Sequence, residues 1–315
     1  MNRTAQYSGL AEASALAPRP LHLAIGMFDG VHRGHRAVID AAVESARRSG
    51  GLSAVLTFWP HPSALFRPEN PTLLMQDAAT KARVLHTLGL DAVITETFTA
   101  ELAGVAAEEF LPWLKARLPG LRAIYVGENF RFGRGRRGDV ALMAATAQNH
   151  GLSVFSAPRV CVGGEPISST RIRELLVSGE IAQANELLGY TYFSDGIVAP
   201  GKQLGRTIGF PTLNVAWAPG LRPRHGVYAV RVGGAKSATA LPAVANYGLR
   251  PTVEQATEPR LEVHVLGACP FGAGDSVTVE WLRFVRPEMK FSGVVELRAQ
   301  IERDRTTVSA DFSLH

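Results

Sequence analysis

Between Leu21 and about Gly189 the chain repeats one unit, a short apolar run followed by a longer run whose apolar residues return at helical spacing. The apolar runs are "LHLAIG", "LSAVLTF", "DAVITE", "LRAIYVG" and "LSVFSAP"; the helix-period runs that follow them occupy 36–49, 77–89, 106–118, 138–150 and 169–188. Such alternation has few solutions, because parallel strands need crossovers and helical crossovers cover both faces of the sheet. The segment is therefore expected to be a doubly wound α/β domain. Its first helix carries Val38, Ile39, Ala42, Val43 and Ala46 on one face. Arg47 and Arg48 complement the dipole of its last turn, and Gly50 and Gly51 end it. The N-terminus of that helix then opens on the carboxyl edge of the sheet, where open α/β sheets bind ligands.

After Gly189 the texture changes. "HGVYAVRV", "RLEVHVL" and "DSVTVEWLRF" alternate apolar with polar residues between Gly and Pro, and one helical run stands near 293–304. This half is expected to be a compact antiparallel barrel or sandwich with a terminal helix. A chain of 315 residues suits two cores. The expected limits are a flexible tail at 1–20, one domain at 21–189 and a second at 190–315, with the boundary near "GYTYFSDG".

The same elements limit the function classes. The 33 Lys+Arg against 28 Asp+Glu leave a net charge of +5, which suits anionic ligands but is too small for a nucleic-acid coat. Cys161 and Cys269 stand far apart, which excludes a CxxC motif, makes a disulfide framework unexpected and points to a cytoplasmic setting. No apolar run approaches the roughly 20 residues that span a bilayer, so no membrane partner is expected.

Two helix starts hold the chemistry. "GMFDGVHRGH" leads from the first strand into the first helix, and the unpaired N–H groups there make an anion site to which His32 and His35 add donors. One histidine capping the helix and the other lining the core is the plainer alternative. "ISSTRIRELL" is the second start: Ser168, Ser169 and Thr170 stand at the cap, while Arg171 and Arg173 oppose the dipole unless an anion occupies the site. Together the two starts could hold a triphosphate. "GRGRRG" at 133–138 fits GxGxxG but lies beyond its strand and lacks the later acidic residue, so a dinucleotide site is rejected there. Its arginines, with Arg131, leave an RNA-contacting patch or a solvated loop as readings.

"GMFDGVHRGH", "FWPHP", "VGENFRFGRGRRGD" and "ISSTRIR", in that order, resemble the N-terminal module of prokaryotic bifunctional riboflavin kinase/FAD synthetases. "GKQLGRTIGFPTLNV", "HGVYAVRV", "ANYGLRPT", "RLEVHVL" and "RPEMKF" are similar to that family's riboflavin kinase module, and the likeness runs from about Leu21 to Asp304. The resemblance implies two reactions, both with magnesium-ATP. The second module phosphorylates riboflavin to FMN, and the first adenylylates FMN to FAD with release of diphosphate.

In the adenylyl-transfer site the resemblance assigns His32 and His35 to the charge on the α-phosphate. Ser169, Thr170 and Arg173 go to the leaving diphosphate, and Gly26, Phe28, Asp29, Gly34 and Arg171 to nucleotide binding. Trp59, Pro60, His61, Asn129 and, in the second module, Arg286 are implied to bind flavin. In the kinase site Thr212 and Asn214 would bind magnesium and the ATP phosphates, Gly205, Arg206 and Gly209 would form a lid, and Glu262 would orient or deprotonate the ribityl hydroxyl. Strand alternation separately leaves Glu262 and His264 opposite the face of Leu261, Val263 and Val265. Met27 stands where the family usually has asparagine, and "GACPFGAG" lacks the expected Tyr-Gly step. A chain with one active module and an RNA-binding protein using loop 131–137 are the alternatives.

Overall fold

The computed structural model describes residues 4–16, 19–201, 205, 208–249 and 259–313. The chain forms two compact units, Met1–Ser169 and Thr170–His315.

The first unit is built on β1 (Ala5–Tyr7), β2 (Leu21–Ile25), β3 (Leu52–Trp59), β4 (Ala92–Thr97), β5 (Leu121–Gly127) and β6 (Ser153–Ala157). They form a parallel sheet in the order β1-β4-β3-β2-β5-β6, and β7 (Cys161–Val162) and β8 (Glu165–Pro166) pair antiparallel as a separate two-stranded ribbon. The five expected strands are all present. β3 and β4 extend the sheet on one side of β2, and β5 and β6 on the other, so the winding reverses between β2 and β5. That gap is the topological switch point of an open α/β sheet.

The helices of this unit are α1 (Leu10–Ala13), α2 (Arg33–Ser49), α3 (Pro62–Phe66), α4 (Ala78–His86), α5 (Ala100–Gly104), α6 (Phe110–Arg117) and α7 (Val140–Gln148). α2 buries Val38, Ile39, Ala42 and Ala46, and ends at Gly50 in the left-handed region (φ 66°). Fully burying a valine or isoleucine contributes about 1.5–3 kcal/mol, so this face alone anchors the helix that carries His32 and His35. The run expected at 106–118 becomes helical only at Phe110, which places Pro112 in the first turn, where its missing N–H leaves no bond unmade.

Residues 5–16 correct the expected tail. β1 pairs with β4 in the register Ala5↔Ala92, and Leu10 and Ala13 are buried in the sheet's core. The Glu96 carboxylate accepts the Leu10 N–H at 2.6 Å. A three-residue strand and a one-turn helix are too short to show a period, so the pattern that located the other strands could not find them.

The second unit opens with α8 (Ser169–Ser178, its first residue belonging to the first unit) and α9 (Ile181–Leu188), the expected single run being broken at Gly179, whose φ is 88°. The strands are β9 (Phe193–Ala199), β10 (Leu213–Ala216), β11 (Gly226–Gly234), β12 (Ser237–Gly248), β13 (Arg260–Val265) and β14 (Ser276–Arg286). They close an antiparallel barrel in the order β10-β13-β12-β11-β14-β9. Trp281 fills its centre with Tyr228 and Tyr247, and its indole N–H donates to Ser194 Oγ at 2.9 Å.

The unit division falls some 20 residues before the expected limit at 189/190. Ala184, Leu187 and Leu188 of α9 are buried, Asn185 Nδ2 donates to the Trp281 carbonyl at 2.8 Å, and Asn185 Oδ1 accepts the Tyr192 N–H at 2.7 Å. These contacts group α9 with the barrel.

A terminal helix (Val294–Ser313) extends well beyond the expected 304. Its Asp304, 5% exposed, receives Arg286 Nε at 2.9 Å and Nη2 at 2.7 Å together with Gln300 Nε2 at 2.8 Å. Removing one partner of a buried pair strands the other charge. Asp304→Ala is therefore expected to destabilise this unit by about 3–5 kcal/mol, read as a lower urea midpoint in tryptophan fluorescence. Among the described residues no helix is long and apolar enough to cross a membrane.

Candidate active sites

At the switch point of the first unit lies a cleft of about 300 Å³. Gly26, Met27 and Phe28 enter it from the end of β2, Gly127 and Asn129 from the end of β5, Pro158 and Arg159 from the end of β6. His32, Gly34 and His35 from the start of α2, and Ser168 and Ser169 from the start of α8, complete it. The two phosphate-ready helix starts, about 135 residues apart in sequence, thus line one cavity.

The turn between β2 and α2 is tightly determined. A Cβ at Gly26 would stand 2.9 Å from the Phe28 ring, so only glycine fits there. Phe28 and Val31 hold φ of 49° and 39°, a left-handed backbone that is costly for side-chain-bearing residues. Asp29 is buried, its Oδ1 accepting the Met75 N–H at 3.1 Å and its carbonyl accepting Ser169 Oγ at 3.0 Å. Asp29 therefore ties the two helix starts together and acts on the cavity through its backbone.

His32 caps α2, its Nδ1 accepting the His35 N–H at 3.2 Å. In the neutral ring this bond puts the proton on Nε2. The two imidazoles stack with centroids 3.5 Å apart and planes 17° from parallel, so both being cationic is disfavoured. The plainer reading is thus half realised, since His32 is a cap and also lines the cleft. His35 Nδ1 is buried with no hydrogen-bond partner. Burial first, then the neighbouring charges of His32 and Lys81, hold His35 well below the ordinary histidine value of 6.5.

The unfolded chain takes up this proton near 6.5 and the folded one only well below it. Neutral His35 therefore contributes stability that is whole above 6.5 and is lost as pH falls toward the folded value. The urea midpoint of the first unit is expected to drop on acidification below 6.5, and His35→Gln to flatten that drop.

At the rim, Arg159 donates Nη2 to Asn129 Oδ1 at 2.7 Å and pairs through Nε with Glu128 at 2.7 Å. This fixes which way the Asn129 amide faces, its NH₂ being turned from Arg159. Thr170, Arg171 and Arg173 follow Ser169 in the first turn of α8, with Arg173 Nη2 at 3.4 Å from Thr170 Oγ1. Trp59, Pro60 and His61 stand at the end of β3, next to β2 in the sheet but outside the cleft lining; His61 caps α3 by accepting the Ser63 N–H. In the second unit Arg286 is engaged by Asp304, as described.

On the barrel, register brings the polar candidates together. Asn214 on β10 lies opposite Glu262 on β13, and Glu262 lies opposite Asn246 on β12. Directly opposed residues have Cβ atoms about 4.5–5.5 Å apart, so these side chains form one row. Leu261, Val263 and Val265 are buried, which leaves Glu262 and His264 on the outer face, as alternation predicts. His264 Nδ1 donates to the Pro211 carbonyl at 2.8 Å and its ring meets Phe210 edge to face, which pins the segment leading into Thr212. A Cβ at Gly201 would lie 2.1 Å from Asn214 Nδ2, so this glycine makes room for the amide. Gly205 accepts the Phe210 N–H at 2.7 Å and Gly209 turns with φ 87°, while Arg206 lies outside the described residues.

Sequence reasoning missed Lys81, Arg159, Asn246 and Gly201. Cross-strand register, which the sequence does not print, places Asn246 beside Glu262; the "ANYG" stretch was its only sign.

The arrangement can bind a polyphosphate at one sheet edge and present oxygen donors beside a carboxylate on the barrel. Two families match the chain: FAD synthetase over residues 15–171 and riboflavin kinase over 188–312. The chain is 38% identical over 292 residues to the bifunctional riboflavin kinase/FMN adenylyltransferase of Escherichia coli K12, covering 93% of each. It is 33% identical over 295 residues to the protein of that name from Bacillus subtilis, covering 92% of each. A crystal structure from Streptococcus pneumoniae, described as a macrolide-efflux protein, superposes with a TM-score of 0.84 at 28% identity, covering 97% of this chain and 98% of that one.

Proposed function

The chain belongs to the bifunctional riboflavin kinase/FMN adenylyltransferase family, and from that premise we propose which of its residues perform each half-reaction. Both activities use ATP as co-substrate. The observation that carries the reading is the convergence of the α2 and α8 starts on the switch-point cleft.

In the adenylyl-transfer half, N–H groups of the α2 start and the His32 and His35 rings stabilise charge that develops on the α-phosphate. Ser169, with Thr170 and Arg173 beyond it, receives the leaving diphosphate, and Arg171 binds the nucleotide. Gly26, Phe28, Asp29 and Gly34 shape the nucleotide cleft, and the Asn129 amide, held by Arg159, orients FMN with Trp59, Pro60 and His61 on the flavin side. No covalent intermediate is needed, since orienting the FMN phosphate in line with the α-phosphate and neutralising charge carry the transfer. Neutral His35 suits an anionic substrate that raises its proton affinity on arrival.

In the kinase half, Glu262 orients or deprotonates the ribityl hydroxyl, and Thr212 and Asn214 hold the ATP phosphates and magnesium. The donor set fits that ion, because magnesium takes hard oxygens from one or two protein groups plus substrate phosphates. When bound, magnesium neutralises phosphate charge. Gly205, Arg206 and Gly209 are proposed to cover the phosphates. Arg286 is proposed to reach the flavin from its Asp304-held position.

Purified protein given riboflavin and magnesium-ATP should yield FMN and then FAD on chromatography. FMN without FAD would leave a kinase alone. Neither product, with steeply salt-dependent RNA affinity, would favour the arginine loop as the working surface.

A further inference from the structure

We propose that Lys81 is a positioning residue for adenylyl transfer, its buried side chain fixing the 26–32 turn, and through it the two histidines, without touching substrate. The inference rests on the reading of the cleft given above.

Lys81 sits one turn into α4, is 4% exposed and does not line the cleft. Its Nζ donates to the Met27 carbonyl at 3.1 Å and to Thr57 Oγ1 at 2.9 Å, and Thr57 Oγ1 donates to that same carbonyl at 3.1 Å. One carbonyl thus takes two donors, from α4 and from β3. It belongs to the residue immediately before Phe28, the first left-handed residue of the turn. Two residues past Met27, buried Asp29 fixes the α8 start through its carbonyl and attracts the ammonium through its charge. A strained turn persists only when its surroundings over-determine it, and Lys81 is the group that joins the turn to both neighbouring elements.

The titratable groups that face Lys81 are Asp29 and neutral His35, the latter stacked on His32; its own helix adds Asp77 at the cap and Arg83 and His86 in the last turn. A buried ammonium is costly where a methionine of equal length would fill the space, so packing alone does not account for a lysine here. Burial lowers its pKa to about 8, against the opposing pull of Asp29. The ammonium therefore loses its proton as pH rises through about 8, and adenylyl transfer is expected to decline over that range.

The test uses the full chain and measures both half-reactions across pH. In Lys81→Met, FMN adenylylation should fall about a hundredfold in kcat, the scale of a misplaced reacting group, while riboflavin phosphorylation is unchanged. The alkaline limb should vanish, and methylamine or ethylamine should restore part of the activity of Lys81→Ala. Wild-type adenylylation with an unaltered pH profile in Lys81→Met overturns the proposal. Where circular dichroism shows that Lys81→Met has not folded, amine rescue decides, and no recovery counts against the proposal. His35→Ala runs alongside: full activity there overturns the reading of the cleft and this inference with it, whereas its inactivity beside a fully active Lys81→Met overturns this inference alone.

Discussion

Replacing His32 and His35 together by alanine is expected to lower FMN adenylylation at least a hundredfold while riboflavin phosphorylation continues nearly undiminished. Each preorganised donor at a transferring group is typically worth about 2.7–4 kcal/mol, and both rings line the cleft. The stacking adds a cooperative element: with centroids 3.5 Å apart, each ring restricts the other's protonation and orientation. The two single variants should therefore not sum to the double. His32→Ala also removes the α2 cap, which costs about 0.5–2 kcal/mol, so His32→Asn, which keeps a cap acceptor, separates helix stability from catalysis. The kinase half-reaction depends on residues of the second unit and serves as the internal control. FAD formation at the wild-type rate by a folded double variant would remove the histidines from the reaction.

Much of this site was legible because α/β folding converts local signals into a shared address. Strand–helix alternation placed the carboxyl edge, helix capping chemistry marked the two helix starts proposed as anion sites, and the sheet order then brought them to one cleft. Lys81 and Arg159 stayed hidden for the opposite reason. A lysine in a helical run is most often solvated, and only the pairing of β2 with β3 and the packing of α4 bury this one against the Met27 carbonyl. Residues 5–16 were lost to shortness, and the break at Gly179 to the weak cost of one glycine in an otherwise helical run. Met27 lines the cleft, and its carbonyl, which every residue type supplies, takes the donors of Thr57 and Lys81.

Glu262→Gln is expected to lower the riboflavin kinase kcat by about a hundredfold or more while riboflavin affinity changes little. A general base typically contributes 10²- to 10⁴-fold, yet phosphoryl transfer passes through a loose transition state in which positioning and charge neutralisation do most of the work. Glutamine keeps the shape and one acceptor oxygen but can neither take the hydroxyl proton nor carry the charge that orders its neighbours. The row Asn246–Glu262–Asn214 makes the second loss specific, because the carboxylate stands between two amides that can each donate to it across the strands. Thr212→Ala and Asn214→Ala remove oxygen donors from the phosphate side, so they should weaken magnesium-ATP use as well as turnover. All three substitutions lie on the outer face or at the edge of the barrel, away from Trp281, Tyr228 and Tyr247, and should leave it folded. FAD formation from supplied FMN should survive each of them. Measuring both half-reactions on every variant decides the matter, and a Glu262→Gln protein that phosphorylates riboflavin at the wild-type rate would make this glutamate an ordinary polar residue on a half-buried strand.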